Sequence, residues 1–324
     1  MTAVLEARGL RVVVNGVTAV DGVDLELREG SRTGLIGESG SGKSLTALAM
    51  MGLLPEGVDA TGSVAYREQE LLGMRERDLC RLRGDRLAMV FQEPMTALNP
   101  VMRIGDQVAE AIRLHRPVDG HAARAEAERL LTEVHLPDPA GRMRAYPHQL
   151  SGGQRQRVMI AMALACGPDV IIADEPTTAL DVSVQAQILA LLRELVEARR
   201  MTLLLITHDL PVVAATCENV MVMYGGRIVE SGRTADVFGR PRHPYTRGLV
   251  DAIPDAATPP GALRAIPGTV PGLGRFPSGC VFRDRCWKAT DKCHEEPSLT
   301  KEPQAFACWH PIAGGETAPA PQPA

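Results

Sequence analysis

Residues 37 to 44 read Gly-Glu-Ser-Gly-Ser-Gly-Lys-Ser, set between an apolar run, SRTGLI, and a helical one, LTALAMMGLL. No other feature limits the possible folds of this chain as much. The form G-x-x-x-x-G-K-S between a strand and a helix is a phosphate cradle: Gly37, Gly40 and Gly42 let backbone N–H groups turn inward, Glu38, Ser39 and Ser41 complete the loop, and the helix that follows points its positive dipole end at the same charge. Lys43 is expected to neutralise the outer phosphates of a nucleoside triphosphate, and Ser44 to ligate Mg²⁺. The bland alternative is a chance glycine turn, and the strand–loop–helix setting speaks against it. So does usage, because Lys43 is the only lysine before Lys288 in a chain that otherwise relies on arginine. A compact ammonium fits such a cradle where a planar guanidinium would not.

Val170-Ile171-Ile172-Ala173-Asp174-Glu175 has the form of a strand buried on both faces and ending in two acids. Ligands of open α/β sheets collect at the carboxyl ends of strands. Asp174 is therefore expected to help hold Mg²⁺, and Glu175 to orient or deprotonate an attacking water. Taken alone, the pair could equally be a solvated helix cap. Together with the loop at 37–44 it defines a P-loop nucleotide-binding protein, which could equally be a kinase, a GTPase or a motor. A third element narrows this. In Leu150-Ser151-Gly152-Gly153-Gln154, a serine N-cap and two glycines open a helix and expose backbone donors, which makes a second phosphate-binding end. One chain has little use for two such ends on a single nucleotide.

Strands are predicted at 10–14 and 23–27, in RLAMVF, in VIIAD and in TLLLIT. Helical spacing runs from about 102 to 136, from 158 onward and through QILALLRELVEARR. Alternating β and α at this rhythm implies a mostly parallel sheet covered on both faces. VMVMYGGRIVESG reads as a hairpin turning at Gly225-Gly226 and closing the main domain near residue 235. Beyond residue 251 proline and glycine become frequent, and 312–324 reads as a disordered tail.

The 324 residues are 45% hydrophobic and 23% charged, with a net charge of −4, which offers no electrostatic reason to bind nucleic acid or anionic lipid. Glu6 and Arg8 interrupt the N-terminal apolar residues, and no apolar run approaches the roughly 20 residues of a membrane helix. The expectation is a cytoplasmic protein that meets the membrane through partners. Cys80, Cys166 and Cys217 are scattered and read as small buried hydrophobes. Cys280, Cys286, Cys293 and Cys308 are crowded in the pattern C-x5-C-x6-C-x14-C, a set of four thiols that suits an iron–sulfur cluster or a structural zinc, with His294 and His310 as substitute ligands.

The pentapeptide at 150–154 resembles the signature sequence of ABC ATPases, and further motifs of that family follow in order. Gln92 matches the glutamine that touches Mg²⁺ and the attacking water. Ala179-Leu180-Asp181 matches the loop in which Asp181 crosses a dimer interface, and His208 matches the histidine that contacts the γ-phosphate. One position departs: where the family stacks adenine on an aromatic, this chain has Val14. The resemblance implies a RecA-like P-loop NTPase core of ABC type at 1–92 and 155–235 with an antiparallel β portion. It also implies a helical subdomain at 93–154 and a C-terminal extension at 236–311. Two such ATPase domains pack head to tail, so that Ser151, Gly152, Gly153 and Gln154 of each cover ATP held by the other.

MVFQEPMTALNP, GESGSGKSLTALAMMGLLP and RHPYTRGLV further resemble the oligopeptide/dipeptide permease ATPases, the first of their two ATPase subunits more than the second, over about residues 4–311. That likeness implies ATP hydrolysis driving peptide import at the cytoplasmic face of the membrane. The implied partners are a second ATPase subunit, two permease subunits and, indirectly, an extracytoplasmic solute-binding protein. It also implies a [4Fe–4S] cluster on the four cysteines, with Zn²⁺ as the alternative. Related importers carry nickel or other small solutes. A soluble ABC ATPase of DNA repair or translation would carry coiled-coil, zinc-hook or tandem insertions. A non-catalytic cassette would lack the acid or the histidine that Glu175 and His208 supply.

Overall fold

The computed structural model describes residues 2–92, 97–178, 180–253, 266–300, 303–314 and 316. The residues EPMT after Gln92, Ala179, the run PDAATPPGALRA and most of the proposed tail lie outside the described residues.

In chain order the chain forms β1 (Ala3–Val14), β2 (Val17–Arg28), β3 (Arg32–Ile36), α1 (Lys43–Met50), β4 (Val58–Tyr66), β5 (Gln69–Glu70), α2 (Glu76–Leu82) and β6 (Leu87–Val90). Then come α3 (Ile104–His115), α4 (Gly120–Glu133), α5 (Pro139–Arg142), α6 (Gly152–Ala163), β7 (Val170–Asp174), α7 (Val182–Arg199) and β8 (Thr202–Thr207). The remainder holds α8 (Leu210–Thr216), β9 (Asn219–Tyr224), β10 (Arg227–Arg233), α9 (Thr234–Gly239), α10 (Pro244–Asp251) and β11 (Ala305–Phe306). None of the described helices is long and apolar enough to cross a membrane.

Two compact units result. The first comprises Met1–Leu5, Leu27–Ser31 and Tyr66–Ile206. In it β7 runs parallel to both β6 and β8, with Val90 opposite Ala173 and Asp174 opposite Ile206. Every residue of β7 and β8 is buried, as expected of strands written as unbroken apolar runs. β6 stops at Val90, one residue short of the predicted run, and Phe91 is exposed where the chain leaves the sheet. The long helical stretch divides at Arg116-Pro117 into α3 and α4, and the Asp119 carboxylate caps α4 by accepting from the Ala122 N–H at 2.8 Å. Ala123, Ala127, Leu130 and Leu131 bury one face of α4 at helical spacing.

The second unit comprises Glu6–Glu26, Arg32–Ala65 and Thr207–Ala324. Most of β1, β2 and β4 lies here, in the order β2-β1-β4. β3 pairs in parallel with β9, placing Ile36 opposite Val222, and β9 turns back into β10. Gly225 and Gly226 both have positive φ, 56° and 80°, as the predicted two-residue turn demands. Gly226 has a second constraint, since a Cβ there would stand 2.5 Å from the Ala19 carbonyl oxygen. β10 also pairs with β11, Glu230 opposite Phe306, so the segment after residue 235 adds a strand to the hairpin expected to close the main domain.

What packs this proline- and glycine-rich segment is aromatic. Tyr224 lies with ring centroids 4.7 Å from Tyr245, 5.1 Å from Phe282 and 5.8 Å from Phe276. Glu230, fully buried, accepts hydrogen bonds from the backbone N–H groups of Arg242 (2.7 Å) and His243 (2.9 Å) and from Gln304 Nε2 (2.7 Å). Burial pushes its carboxyl pKa up, opposed by those bonds. Of the tail expected from residue 312, residues 312–314 and 316 are described. Ile312 is buried and donates its N–H to the Arg242 carbonyl at 2.8 Å, and Glu316 pairs with Lys288 at 2.7 Å. One apolar side chain and one ion pair hold a stretch whose composition alone suggested none.

Candidate functional site

In the second unit, β3 delivers the chain into the loop at Gly37. A Cβ on Gly37 would stand 2.2 Å from the Met223 carbonyl oxygen, and on Gly42, at φ 103°, 2.8 Å from Met223 Cε. Glycine is required at both positions by close approach as well as by conformation. Lys43 is buried, and its Nζ donates to the carbonyls of Gly37 (2.8 Å) and Glu38 (3.0 Å) and to Ser41 Oγ (3.3 Å). The ammonium therefore lies over the loop that it is expected to share with phosphate. No side chain caps α1, whose first turn follows Gly42, while Ser39, Gly40 and Ser44 are exposed.

Glu38 differs from its sequence expectation as a plain loop position. Its N–H donates to the Tyr245 hydroxyl at 2.8 Å, and its carboxylate is held by Arg285 at 2.6 and 3.1 Å. Neither Arg285 nor Tyr245 was singled out by motif; Tyr245 sits inside RHPYTRGLV without a role attached. His208 follows β8 and is exposed, and Asp209 beside it caps α8 through the Val212 N–H at 3.1 Å. Val14 ends β1, half-buried.

In the first unit, β7 ends with Asp174 buried and Glu175 half-buried at φ 45°. A glutamate in the left-handed region costs on the order of 1–3 kcal/mol, and such outliers concentrate where geometry serves chemistry. The Glu175 N–H donates to the Ile206 carbonyl at 2.9 Å, and its Oε2 accepts from Gln92 Nε2 at 3.2 Å and Thr178 Oγ1 at 2.9 Å. The structure thus joins two residues chosen from motifs 83 positions apart and adds Thr178, which no motif singles out.

Also in this unit, Ser151 is exposed and opens α6 with a capping box. Its Oγ accepts from the Gln154 N–H at 3.3 Å, and Gln154 Oε1 accepts from the Ser151 N–H at 3.1 Å. A Cβ on Gly152 would meet Leu180 Cδ2 at 3.0 Å, and on Gly153 Val184 Cγ1 at 2.5 Å. These glycines admit α7 and the turn before it as well as exposing backbone donors. Asp181 caps α7, accepting from Ser183 Oγ at 2.6 Å and the Val184 N–H at 3.0 Å, and these bonds hold its carboxyl below the usual range.

Residues 20–178 match the family described as ABC transporter, and residues 229–293 match the oligopeptide/dipeptide transporter C-terminal region. A probable D,D-dipeptide transport ATP-binding protein, DdpD of Escherichia coli, is 50% identical over 91% of this chain and 92% of its own length. The chain belongs to the ABC transporter family. The oligopeptide transport ATP-binding protein OppD of Salmonella typhimurium is 46% identical over 95% of this chain and 94% of its own. Among solved structures, a dimeric ATP-binding cassette in a post-hydrolysis state bound to ADP and Pi is similar at TM-score 0.63 and 28% identity, covering 71% of this chain and 98% of that one. As a member of this family the subunit is an ATPase, with ATP and Mg²⁺ as its implied ligands.

The ABC subunit keeps its cysteine quartet as free thiols, Cys280 and Cys293 buried, Cys286 and Cys308 half-buried. The Lys288 N–H donates to Cys286 Sγ at 3.4 Å and the His310 N–H to Cys308 Sγ at 3.3 Å. Burial, with the neighbouring thiols adding, pushes Cys286 up to about 12 and Cys308 up to about 11. Among the described residues, no group of three or more His, Cys, Asp or Glu side chains converges closely enough to hold a metal ion. The two candidate substitute ligands have other partners: His294 Nδ1 lies 3.1 Å from Arg283 Nη1, and His310 Nε2 lies 2.7 Å from Thr290 Oγ1.

Proposed function

We propose that this ABC subunit energises uptake of dipeptides and oligopeptides into the cell. It would act at the cytoplasmic face of the membrane with a second, similar ATPase subunit, two permease subunits and, indirectly, an extracytoplasmic solute-binding protein. The observation that carries the reading is the match of residues 229–293 to the oligopeptide/dipeptide transporter C-terminal region, a segment additional to the ATPase match.

In this reading Gly37 to Ser44 cradle the triphosphate, and Lys43 moves from the loop carbonyls onto the outer phosphates. Ser44, Gln92 and Asp174 offer oxygen donors, the hard ligands Mg²⁺ selects. Glu175 orients and deprotonates water for in-line attack on the γ-phosphorus, His208 contacts the γ-phosphate, and the leaving group is ADP. The helix start at Ser151-Gly152-Gly153-Gln154 caps the nucleotide of the partner subunit, and Asp181 lies at that interface. The exposure of Ser151 and its intact capping box support this role. Closure of the pair couples hydrolysis to the permeases.

The same reading assigns the four thiols to a [4Fe–4S] cluster. Its support is the donor set and the N–H···S bonds that Cys286 and Cys308 already accept.

Uptake of labelled peptide and of nickel, each measured in cells with and without the subunit, tests the cargo. Loss of peptide uptake with restoration by the wild-type gene is the expected result. Loss confined to nickel or another small solute overturns the peptide assignment.

A further inference from the structure

Arg285 is 6% exposed and spends all five N–H donors inside the second unit. Nε donates to the Pro267 carbonyl at 2.9 Å. Nη1 donates to Glu38 Oε2 at 2.6 Å and the Tyr224 hydroxyl at 3.3 Å, and Nη2 to Glu38 Oε1 at 3.1 Å and the Gly268 carbonyl at 3.4 Å. Its carbon Cζ lies 5.8 Å from the Tyr224 ring centroid and 6.0 Å from that of Phe282. The pair with Glu38 is bidentate, a geometry that a lysine cannot reproduce.

Glu38 is the second residue of the phosphate loop, and the C-terminal segment grips it twice. Arg285 holds its carboxylate, while the fully buried Tyr245 accepts its backbone N–H at 2.8 Å. The carbonyl of the same residue accepts from Lys43 Nζ at 3.0 Å. A contact chain therefore runs from Arg285 and Tyr245 through Glu38 to the loop lysine, spanning 247 positions of sequence in its first step. Loops that bind phosphate gain affinity when their backbone is held in the binding shape beforehand, because otherwise the ligand must supply the ordering free energy.

We infer that Arg285 and Tyr245 are positioning residues for the phosphate loop, acting through Glu38 to hold it ready for Mg·ATP. The inference rests on the reading that residues 37–44 bind nucleotide phosphate. Once nucleotide is bound its own contacts order the loop, so the effect falls on affinity and little on turnover.

The test uses the full chain for binding of a fluorescent ATP analogue and the assembled transporter for steady-state ATPase activity. Arg285→Gln and Glu38→Gln are each expected to raise Kd and KM by about tenfold while kcat stays within about twofold. Glu38→Gln keeps the side chain's shape and one acceptor oxygen for Arg285, and thermal unfolding of every variant, measured alongside, separates a folding defect from a loss of nucleotide affinity. Arg285→Gln/Glu38→Gln should be no worse than either single variant, and Tyr245→Phe should show a smaller shift of the same kind. Unchanged Kd in both single variants, fully additive shifts in the double, or a loss confined to kcat overturns the inference. Lys43→Ala separates the two readings. If it abolishes binding while Arg285→Gln and Glu38→Gln bind as wild type, only the positioning role falls; if wild-type protein binds no nucleotide, both fall.

Discussion

Gln92 Nε2 lies 3.2 Å from Glu175 Oε2, and Thr178 Oγ1 donates to the same oxygen at 2.9 Å. Two donors on one carboxylate oxygen fix the direction of the acid at the end of β7. The backbone does the same by a different means, since Glu175 sits at φ 45°, where a side chain leaves the strand at an angle that ordinary strand geometry does not give. In the proposed role of general base, a carboxylate so restrained would gain by being aligned in advance with the attacking water.

Replacing Glu175 by Gln keeps the shape and the hydrogen bond from Thr178 but removes the basic oxygen. Turnover of ATP should fall by a factor on the order of 10²–10⁴ while nucleotide affinity is kept, and the paired subunits should accumulate closed around ATP. Single-turnover hydrolysis and gel filtration with Mg·ATP measure both, and near-normal turnover would remove Glu175 from the role of base.

Gly153 carries the clearest steric prediction. An added Cβ would stand 2.5 Å from Cγ1 of Val184, a β-branched side chain that rotates poorly out of the way on α7. Gly153→Ala should cost about 1–3 kcal/mol of stability and depress ATPase activity through the displaced turn at 180–184. Val184→Ala in the same chain deletes the clashing methyl and should recover much of the loss. Thermal unfolding of the three variants decides; a single variant as stable as wild type would show that the helices simply separate.

The glycine loop at 37–44, the acid-ended strand, the turn at Gly225-Gly226 and the helix start at Ser151 were legible in sequence because each is written in local chemistry. Each is a glycine where φ is positive, a serine where a helix opens, or an apolar run where a strand is covered. The links that organise the site were not. Arg285 and Glu38 are 247 residues apart, and no local rule pairs them. The two residues of β11 are too short to show a period and become a strand only because β10 has an edge to offer. The left-handed conformation of Glu175 and the packing role of Gly153 against Val184 likewise belong to tertiary contacts. The burial of Ile312, inside a stretch of Pro/Ala-rich composition, is likewise a tertiary contact that local composition does not show.

His243 gives a prediction in pH. It is fully enclosed, its Nδ1 accepts from the Tyr245 N–H at 3.0 Å, and burial pushes its pKa down to about 3. Its folded value is below its unfolded one, so the unfolded chain takes up the proton first. Its stabilising contribution is full above about pH 6.5 and declines as pH falls from there toward 3, by about 2 kcal/mol between pH 7 and pH 5. Glu230, raised by burial, works in the opposite sense and loses its contribution as pH rises. The two are separated by His243→Asn, which keeps a helix-capping acceptor but cannot titrate. The acid-induced fall in the unfolding midpoint from pH 7 to pH 5 should be smaller in this variant than in wild type. An equal fall in both would mean that His243 is protonated in the folded protein.

The cysteine quartet can be tested by asking what the thiols do when metal is supplied. Cys286 and Cys308 are pushed up to about 12 and about 11, so in the metal-free chain both are protonated at neutral pH. A cluster would have to displace those protons, which couples its binding to pH and to the folding of the surrounding proline-rich segment. Under the proposed cluster assignment, protein purified without oxygen is brown and holds about four iron and four sulfide per chain. Replacing Cys286 by Ser should bleach it and lower the unfolding temperature of the extension. Colourless protein with one zinc per chain would assign the thiols to a structural site, and colourless protein without metal would leave them as packing residues of the extension.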